Sequence, residues 1–149
     1  MLQFKFSASN LQDFHAKGPL SAYASYPEML ELEGTFQIDI DGRILFFEPV
    51  FPVLEFLFAV EAWRNGEVPD VPKLRWADKK RRHATGNMEY HSVETEDNPL
   101  IRFAREGELW RVESKWERFH SSEQFGKPEL FAACENLRQQ VMRQYGLSG

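Results

Sequence analysis

Several patterns that would mark an enzyme, a metal site or a membrane protein are missing from this chain of 149 residues. Cys134 is its single cysteine, so no internal disulfide can form, and the composition fits a reducing cytosol. No stretch approaches the roughly 18 consecutive apolar residues of a membrane-spanning helix, and no glycine-rich phosphate loop occurs. The histidines are scattered without metal-ligand spacing: His15, His83, His91 and His120. We therefore predict no cofactor, no metal, no catalytic residue and no membrane segment.

An excess of basic residues is missing as well, since the net charge is −5. Residues 1–72 carry a net charge of −7 and residues 83–149 carry −3, whereas the ten residues 73–82 carry +5. Prolines and a glycine surround this basic run, which predicts a long loop. A nucleic-acid reader would present such cations beside stacking aromatics or on a regular element. Because the rest of the chain is acidic and repels phosphate backbones, we predict no nucleic-acid partner and a loop that is either solvated or docked on an acidic partner.

A β-hairpin is the clearest element that is present. In residues 30–40, LELEGTFQIDI, apolar and polar side chains alternate, which predicts one buried and one solvated face. Asp41-Gly42 then predicts a two-residue turn, and RILFFE forms the returning strand. This turn sets a register that places two apolar pairs opposite each other, Ile38 with Leu45 and Phe36 with Phe47.

Two helices, a second hairpin and an N-terminal edge strand, LQFKF, complete the predicted fold. The helices span about 51–65 and 128–145, and each has a proline in its first turn and a glycine at its end. Between them a hairpin around Glu106-Gly107 is predicted to bury one face, with Ile101, Phe103, Trp110, Val112, Ser114 and Trp116. The predicted fold class is α+β: one domain over residues 1–149, with a mostly antiparallel sheet of about five or six strands and two main helices.

The candidate binding residues are acidic. The solvated face of the first hairpin carries Glu31, Glu33, Asp39 and Asp41, and the stretch SVETEDNP adds Glu94, Glu96 and Asp97. The opposite face of the second hairpin carries Arg102, Arg111, Glu113 and Lys115. If the two faces are neighbours in one sheet, part of this charge pairs internally. If they are apart, the acidic face is available to a basic partner.

Three stretches between residues 30 and 120 carry a resemblance: GTFQIDIDGRILFFEPVFPVLEFL, HSVETEDNPLIRF and WRVESKWERF. They resemble a family of small bacterial domains of uncharacterised function, similar in size and style to immunity proteins of polymorphic toxin and contact-dependent inhibition systems. The resemblance implies a cytosolic, non-enzymatic binder of a protein partner, such as a basic toxin domain. It assigns no functional residue.

Two other classes remain open. In a small-ligand-binding domain, Phe103, Trp110 and Trp116 would line a pocket beneath the long loop. In a carboxylate-dependent enzyme, Glu94, Glu96 or a histidine would converge in a cleft. Cys134 lies on the apolar stripe of the last helix, which indicates a core thiol and not a nucleophile.

Overall fold

A computed structural model describes residues 1–9, 11–16, 18–24, 28–66, 86–91 and 99–148. The first sheet has the order β1-β2-β3 and comprises β1 (Leu2–Ala8), β2 (Glu33–Ile40) and β3 (Arg43–Pro52). The second has the order β4-β5-β6-β7 and comprises β4 (Met88–Tyr90), β5 (Ile101–Glu106), β6 (Leu109–Ser114) and β7 (Gln124–Phe125). The helices are α1 (Val53–Arg64) and α2 (Lys127–Tyr145), and three short 3-10 helices lie at Leu11–Asp13, Leu20–Tyr23 and Glu28–Leu30.

The α+β class is confirmed, and all strand pairs in these sheets are antiparallel. The strands are divided between two sheets, whereas the sequence predicted one. At the outer edge of β3 the carbonyl of Leu45 accepts a hydrogen bond from the backbone N–H of Arg118, which follows β6 (2.7 Å). Pro49 further along this strand has no N–H to offer to a neighbour.

The first hairpin turns at Asp41 and Gly42 as predicted, and both residues have positive φ (51° and 82°), as a primed turn requires. The predicted register is wrong beyond the first two pairs. A β-bulge between Ile38 and Asp39 makes Leu45 an extra residue. The observed pairs are therefore Ile38 with Phe46, Gln37 with Phe47 and Phe36 with Glu48.

The second hairpin turns one residue later than predicted, at Gly107 and Glu108. Phe103 therefore pairs with Val112 and Ile101 with Ser114, a shift of two positions that keeps every side chain on its predicted face. The burial predicted for one residue of that face, Trp116, is wrong. Because β6 ends at Ser114, Trp116 lies beyond the sheet and is 42% exposed.

Both helices lie within two residues of their predicted bounds. On α2, the predicted stripe is buried: Leu130, Cys134, Leu137, Val141 and Tyr145. Gly146 ends the helix with a left-handed conformation (φ 65°), and its N–H donates to the carbonyl of Met142. α1 is buried on most sides, as its continuous apolar sequence predicted.

The core lies between the two sheets and is rich in aromatic rings. Phe4 of the first sheet stacks against Phe103 of the second, with ring centres 6.1 Å apart. Phe56 of α1 meets both rings edge to face, at 5.8 and 6.4 Å. The neighbouring Glu55 is buried too, and its carboxylate accepts a hydrogen bond from the hydroxyl of Tyr90 (2.8 Å). Burial beside this carboxylate raises the pKa of Tyr90 well above its usual value.

Candidate protein-binding surface

The solvent-facing side of the first sheet, called here the outer face, is ordered by strand pairing. Side chains directly opposite one another on paired strands point to the same side. One row across the three strands is therefore Lys5, Gln37 and Phe47, and the next is Gln3, Asp39 and Ile44. A further row holds Ser7 and Thr35 beside the second bulge of β3, which contains Pro49 and Val50. Glu33 lies at one end of this face and Asp41 at the other.

The predicted acidic residues are split between these two ends. Glu31 is exposed and Glu33 is half-buried at the start of β2, while Asp41 is exposed in the turn that follows it. A strand advances about 3.3 Å per residue, so the carboxylates of Glu33 and Asp41 are on the order of 25 Å apart. The remaining candidates, Glu94, Glu96 and Asp97, and the basic segment 73–82 lie outside the described residues.

The exposure predicted for Asp39 is wrong, because this residue is only 4% exposed. Its carboxylate forms an ion pair with Lys5 of β1 (2.8 Å) and accepts a hydrogen bond from the amide of Gln37 (2.8 Å). Its charge is therefore neutralised within the sheet.

Asp41 lies in a small charged cluster at the turn. Its carboxylate forms an ion pair with the amino group of Met1, and Glu123 lies 3.9 Å from the same group. The hydrogen bond from this amino group lowers the pKa of Asp41, and the same bond raises the pKa of the amino group. Burial and the neighbouring Asp41 raise the pKa of Glu123. At neutral pH Asp41 is therefore ionised.

Two apolar side chains on the outer face were missed by sequence reasoning. Phe47 was predicted to face the core opposite Phe36, but the bulge turns it outward, where it is 38% exposed. Val50, within the second bulge of β3, is 59% exposed. A signal for the first bulge was present in the sequence. Leu45, Phe46 and Phe47 are three consecutive large apolar residues, which a strictly alternating strand does not accommodate.

Two arginine–aromatic contacts join the edge of β3 to the segment after β6. The guanidinium of Arg43 lies 3.9 Å from the ring centre of Phe119, and that of Arg118 lies 5.4 Å from the ring centre of Phe47. Each segment thus supplies one arginine and one phenylalanine. With the hydrogen bond from Arg118 to Leu45, these contacts hold the two sheets together and restrain the ring of Phe47.

Two arginines on the solvent-facing side of the second sheet are paired with carboxylates of the same sheet. Arg102 pairs with Glu113 and lies 4.0 Å from Glu89. Arg111 contacts Glu113 at 2.6 Å and Glu106 at 3.3 Å. These ion pairs are internal to the second sheet.

Comparison with known families assigns the chain. The model of a domain of unknown function, DUF7878, matches residues 2–70 and 73–145. The chain belongs to the DUF7878 family. No curated protein and no solved structure matches this DUF7878 domain. Its described residues contain no helix with both the length and the apolar character needed to span a membrane.

Two clefts of this DUF7878 domain are lined by described residues, and neither lining includes Phe103, Trp110 or Trp116. A cleft of about 230 Å³ is lined by Pro99, Arg102, Glu113, Ser114, Lys115 and Glu117. Neither it nor the cleft of about 270 Å³ between α1 and α2 is lined by a histidine. Within the described ranges no three potential ligand side chains are grouped to hold a metal ion. His91 lies 3.7 Å from Glu89 and is buried with it.

Two of the three aromatic residues named for a ligand pocket are buried in the DUF7878 domain. Phe103 and Trp110 belong to the core, where both pack edge to face against Trp63 (5.5 and 5.7 Å between ring centres). Cys134 is buried on α2 as predicted, and burial raises the pKa of its thiol to about 12. A thiol of this kind remains protonated at neutral pH and is a weak nucleophile.

Proposed function

We propose that this DUF7878 domain is a non-enzymatic protein-binding domain that meets a basic surface of its partner with the carboxylates of the outer face. The spacing of those carboxylates is the observation that carries the proposal. Glu31 and Glu33 lie at one end of β2 and Asp41 at the other, on the order of 25 Å apart. A small ligand cannot contact both ends at once. A protein interface of ordinary size, about 800 Å² per partner, does.

Electrostatics favour a basic partner. The net charge of −5 attracts a cationic protein over several ångströms and orients its approach. Arg102 and Arg111 of the second sheet are engaged by carboxylates of that sheet, while the acidic residues Glu31, Glu33 and Asp41 lie at the ends of the outer face. The resemblance to immunity proteins agrees with this mode of binding. Such a protein would act in the cytoplasm, where it would cover the basic surface of a toxin domain.

The test uses the proteins encoded immediately next to this one in its native genome. Each is expressed with and without the DUF7878 domain, and growth and complex formation are measured. We expect one of them to arrest growth and the domain to relieve the arrest by forming a complex. The triple variant Glu31→Lys, Glu33→Lys, Asp41→Lys should associate at least about tenfold more slowly, with a weaker dependence on salt.

The matched control is Glu108→Lys, a charge reversal at an exposed turn of the second sheet. It changes the net charge in the same direction but lies away from the outer face, so it should alter the association rate much less. If each reversed charge slowed association equally in the triple variant and in Glu108→Lys, the net charge alone would determine the association rate. If none of the neighbouring proteins binds the domain, the proposal is rejected.

A further inference from the structure

The free edge of β1 is closed by two side chains of α2. The amide of Gln140 accepts a hydrogen bond from the N–H of Phe6 (2.9 Å) and donates one to the carbonyl of Phe4 (2.8 Å). The amide of Gln144 accepts from the N–H of Ala8 (2.7 Å) and donates to the carbonyl of Phe6 (2.7 Å). A primary amide offers the same donor and acceptor as a peptide group, so the two glutamines take the place of a neighbouring strand.

The two glutamines fit the edge of β1 because the spacing of residues on the helix is close to the spacing on the strand. Residues four apart on a helix are separated by about 6 Å along its axis. Residues two apart on a strand, whose edge groups point the same way, are separated by about 6.6 Å. Glutamines at positions i and i+4 therefore meet successive edge groups of β1. A partner strand cannot reach this edge while α2 is in place.

The edge of β3 is closed by a neighbouring segment of the chain, a proline and a bulge. The carbonyl of Leu45 is occupied by the N–H of Arg118, and the segment that contains Arg118 and Phe119 lies beside the first half of the strand. In the second half, Pro49 lacks an N–H and a bulge disrupts the ladder. Proline and bulges on an edge strand oppose pairing with another chain.

With both edges closed, the outer face is the part of the first sheet that can receive a partner. Phe47 and Val50 are exposed there, beside the polar side chains of Lys5, Gln37 and Thr35. The contact with Arg118 holds the ring of Phe47, which lowers the entropic cost of using it in an interface. Interfaces gain most of their affinity from a few such central apolar side chains, while surrounding charges set the association rate.

We infer that the partner docks flat on the outer face, with Phe47 and Val50 as its apolar anchors, and adds no strand to either edge. This inference rests on the proposed function and specifies the partner further. The partner is a basic protein whose surface has an apolar depression that receives Phe47 and Val50. Its cations flank that depression and meet Glu33 at one end and Asp41 at the other.

The experiment distinguishes the effect of the apolar side chains on the dissociation rate from the effect of the charges on the association rate. The probe is the adjacent-gene protein that the wild-type domain binds, and the association and dissociation rates are measured by surface plasmon resonance. Phe47→Ala and Val50→Ala should each raise the dissociation rate about tenfold and change the association rate less than about threefold. The matched control is Leu109→Ala, because Leu109 is 39% exposed and lies on the second sheet. It should leave both rates unchanged.

Hydrogen exchange with and without the probe protein tests the docking mode. In face-on docking, the amides of Phe6 and Ala8 keep the protection that they have in the free domain. If the probe added a strand at β1, its pairing would displace the glutamines of α2, and exchange in α2 would speed up. New protection of the Phe47 amide by a backbone ladder would indicate a strand added at β3. Either result would overturn the inference.

The remaining outcomes are distinct. If the wild-type domain binds but Phe47→Ala and Val50→Ala behave like Leu109→Ala, the docking surface is wrong and the proposed function stands. If the wild-type domain binds no neighbouring protein, the proposed function falls and this inference falls with it. Circular dichroism of each variant establishes that it is folded. Val50→Ala serves alone if Phe47→Ala does not fold, since Val50 is 59% exposed and its replacement disturbs the core least.

Discussion

Replacing Gln140 and Gln144 by alanine should weaken the whole domain, although both residues lie partly in solvent. Together their side chains make four hydrogen bonds to the backbone of β1, all between 2.7 and 2.9 Å. A hydrogen bond contributes about 0.5–1.5 kcal/mol, so four contribute about 4 kcal/mol. Water can reach part of the vacated edge, and alanine favours the helix slightly. We expect the double variant to lose about 2–3 kcal/mol of unfolding free energy.

Urea denaturation measures this loss, and hydrogen exchange locates it. The amides of Phe6 and Ala8 should exchange faster in the double variant, because the glutamines bond them directly. The amides of Lys5 and Ser7 alternate with them and point towards β2, so their exchange should rise only with the global loss of stability. The local effect therefore has its own control within the same strand.

The matched control is Gln139→Ala, one position away on the same helix. The side chain of Gln139 is exposed and bonds Glu135 (3.0 Å) but no strand. Its loss should change the stability by less than about 0.5 kcal/mol. Equal stability of the double variant and this control, or unchanged exchange at Phe6 and Ala8, would refute the idea that the glutamines substitute for a strand.

Three further outcomes follow from single residues. Gly34→Ala should destabilise the domain by about 3 kcal/mol in thermal unfolding, because a Cβ there would overlap the carbonyl oxygen of Ser7. A loss of unfolding free energy below about 1 kcal/mol would contradict this packing. Burial raises the pKa of the Cys134 thiol to about 12. This thiol should therefore resist Ellman's reagent at pH 8 in the native state and react fully in urea. Rapid labelling of the native domain would show that the core opens at Cys134. Tyr145 also has its pKa raised to about 12 by burial, above the ordinary value of 10. The stabilising contribution of Tyr145 should be complete below pH 10 and lost as the pH rises towards 12. Between pH 10 and 12 the unfolding free energy of Tyr145→Phe should therefore fall less steeply than that of the wild type. Parallel curves would exclude a contribution from this phenol.

The elements themselves were predictable because local signals agreed. The alternation in residues 30–40 placed Leu32, Phe36 and Ile38 in the core, where they are fully buried. Asp41-Gly42 marked the turn, since both positions need a positive φ. The helix bounds followed from proline at the start and glycine or asparagine at the end.

Features that depend on contacts distant in the sequence were not predictable. The three consecutive apolar residues 45–47 signalled a bulge in the first hairpin but not its position, which moved Phe47 from the core to the outer face. Asp39 has the same parity as its exposed neighbours but finds Lys5 on β1, and no periodicity reveals that pairing. The acidic ends of the candidate site were visible in the sequence. Its apolar anchors were not, because their exposure depends on where the ladder is interrupted.

The glutamine pair also has a consequence for biosynthesis. Phe6 and Gln140 are separated by 134 positions along the chain. At a translation rate of about 5–20 residues per second, about 7 to 27 seconds pass between the synthesis of Phe6 and that of Gln140. Throughout that interval the nascent β1 has no glutamines beside it, and its backbone can pair with other emerging chains. We therefore expect the cell's ribosome-associated chaperones, and not the sheet itself, to guard this strand until α2 has left the exit tunnel.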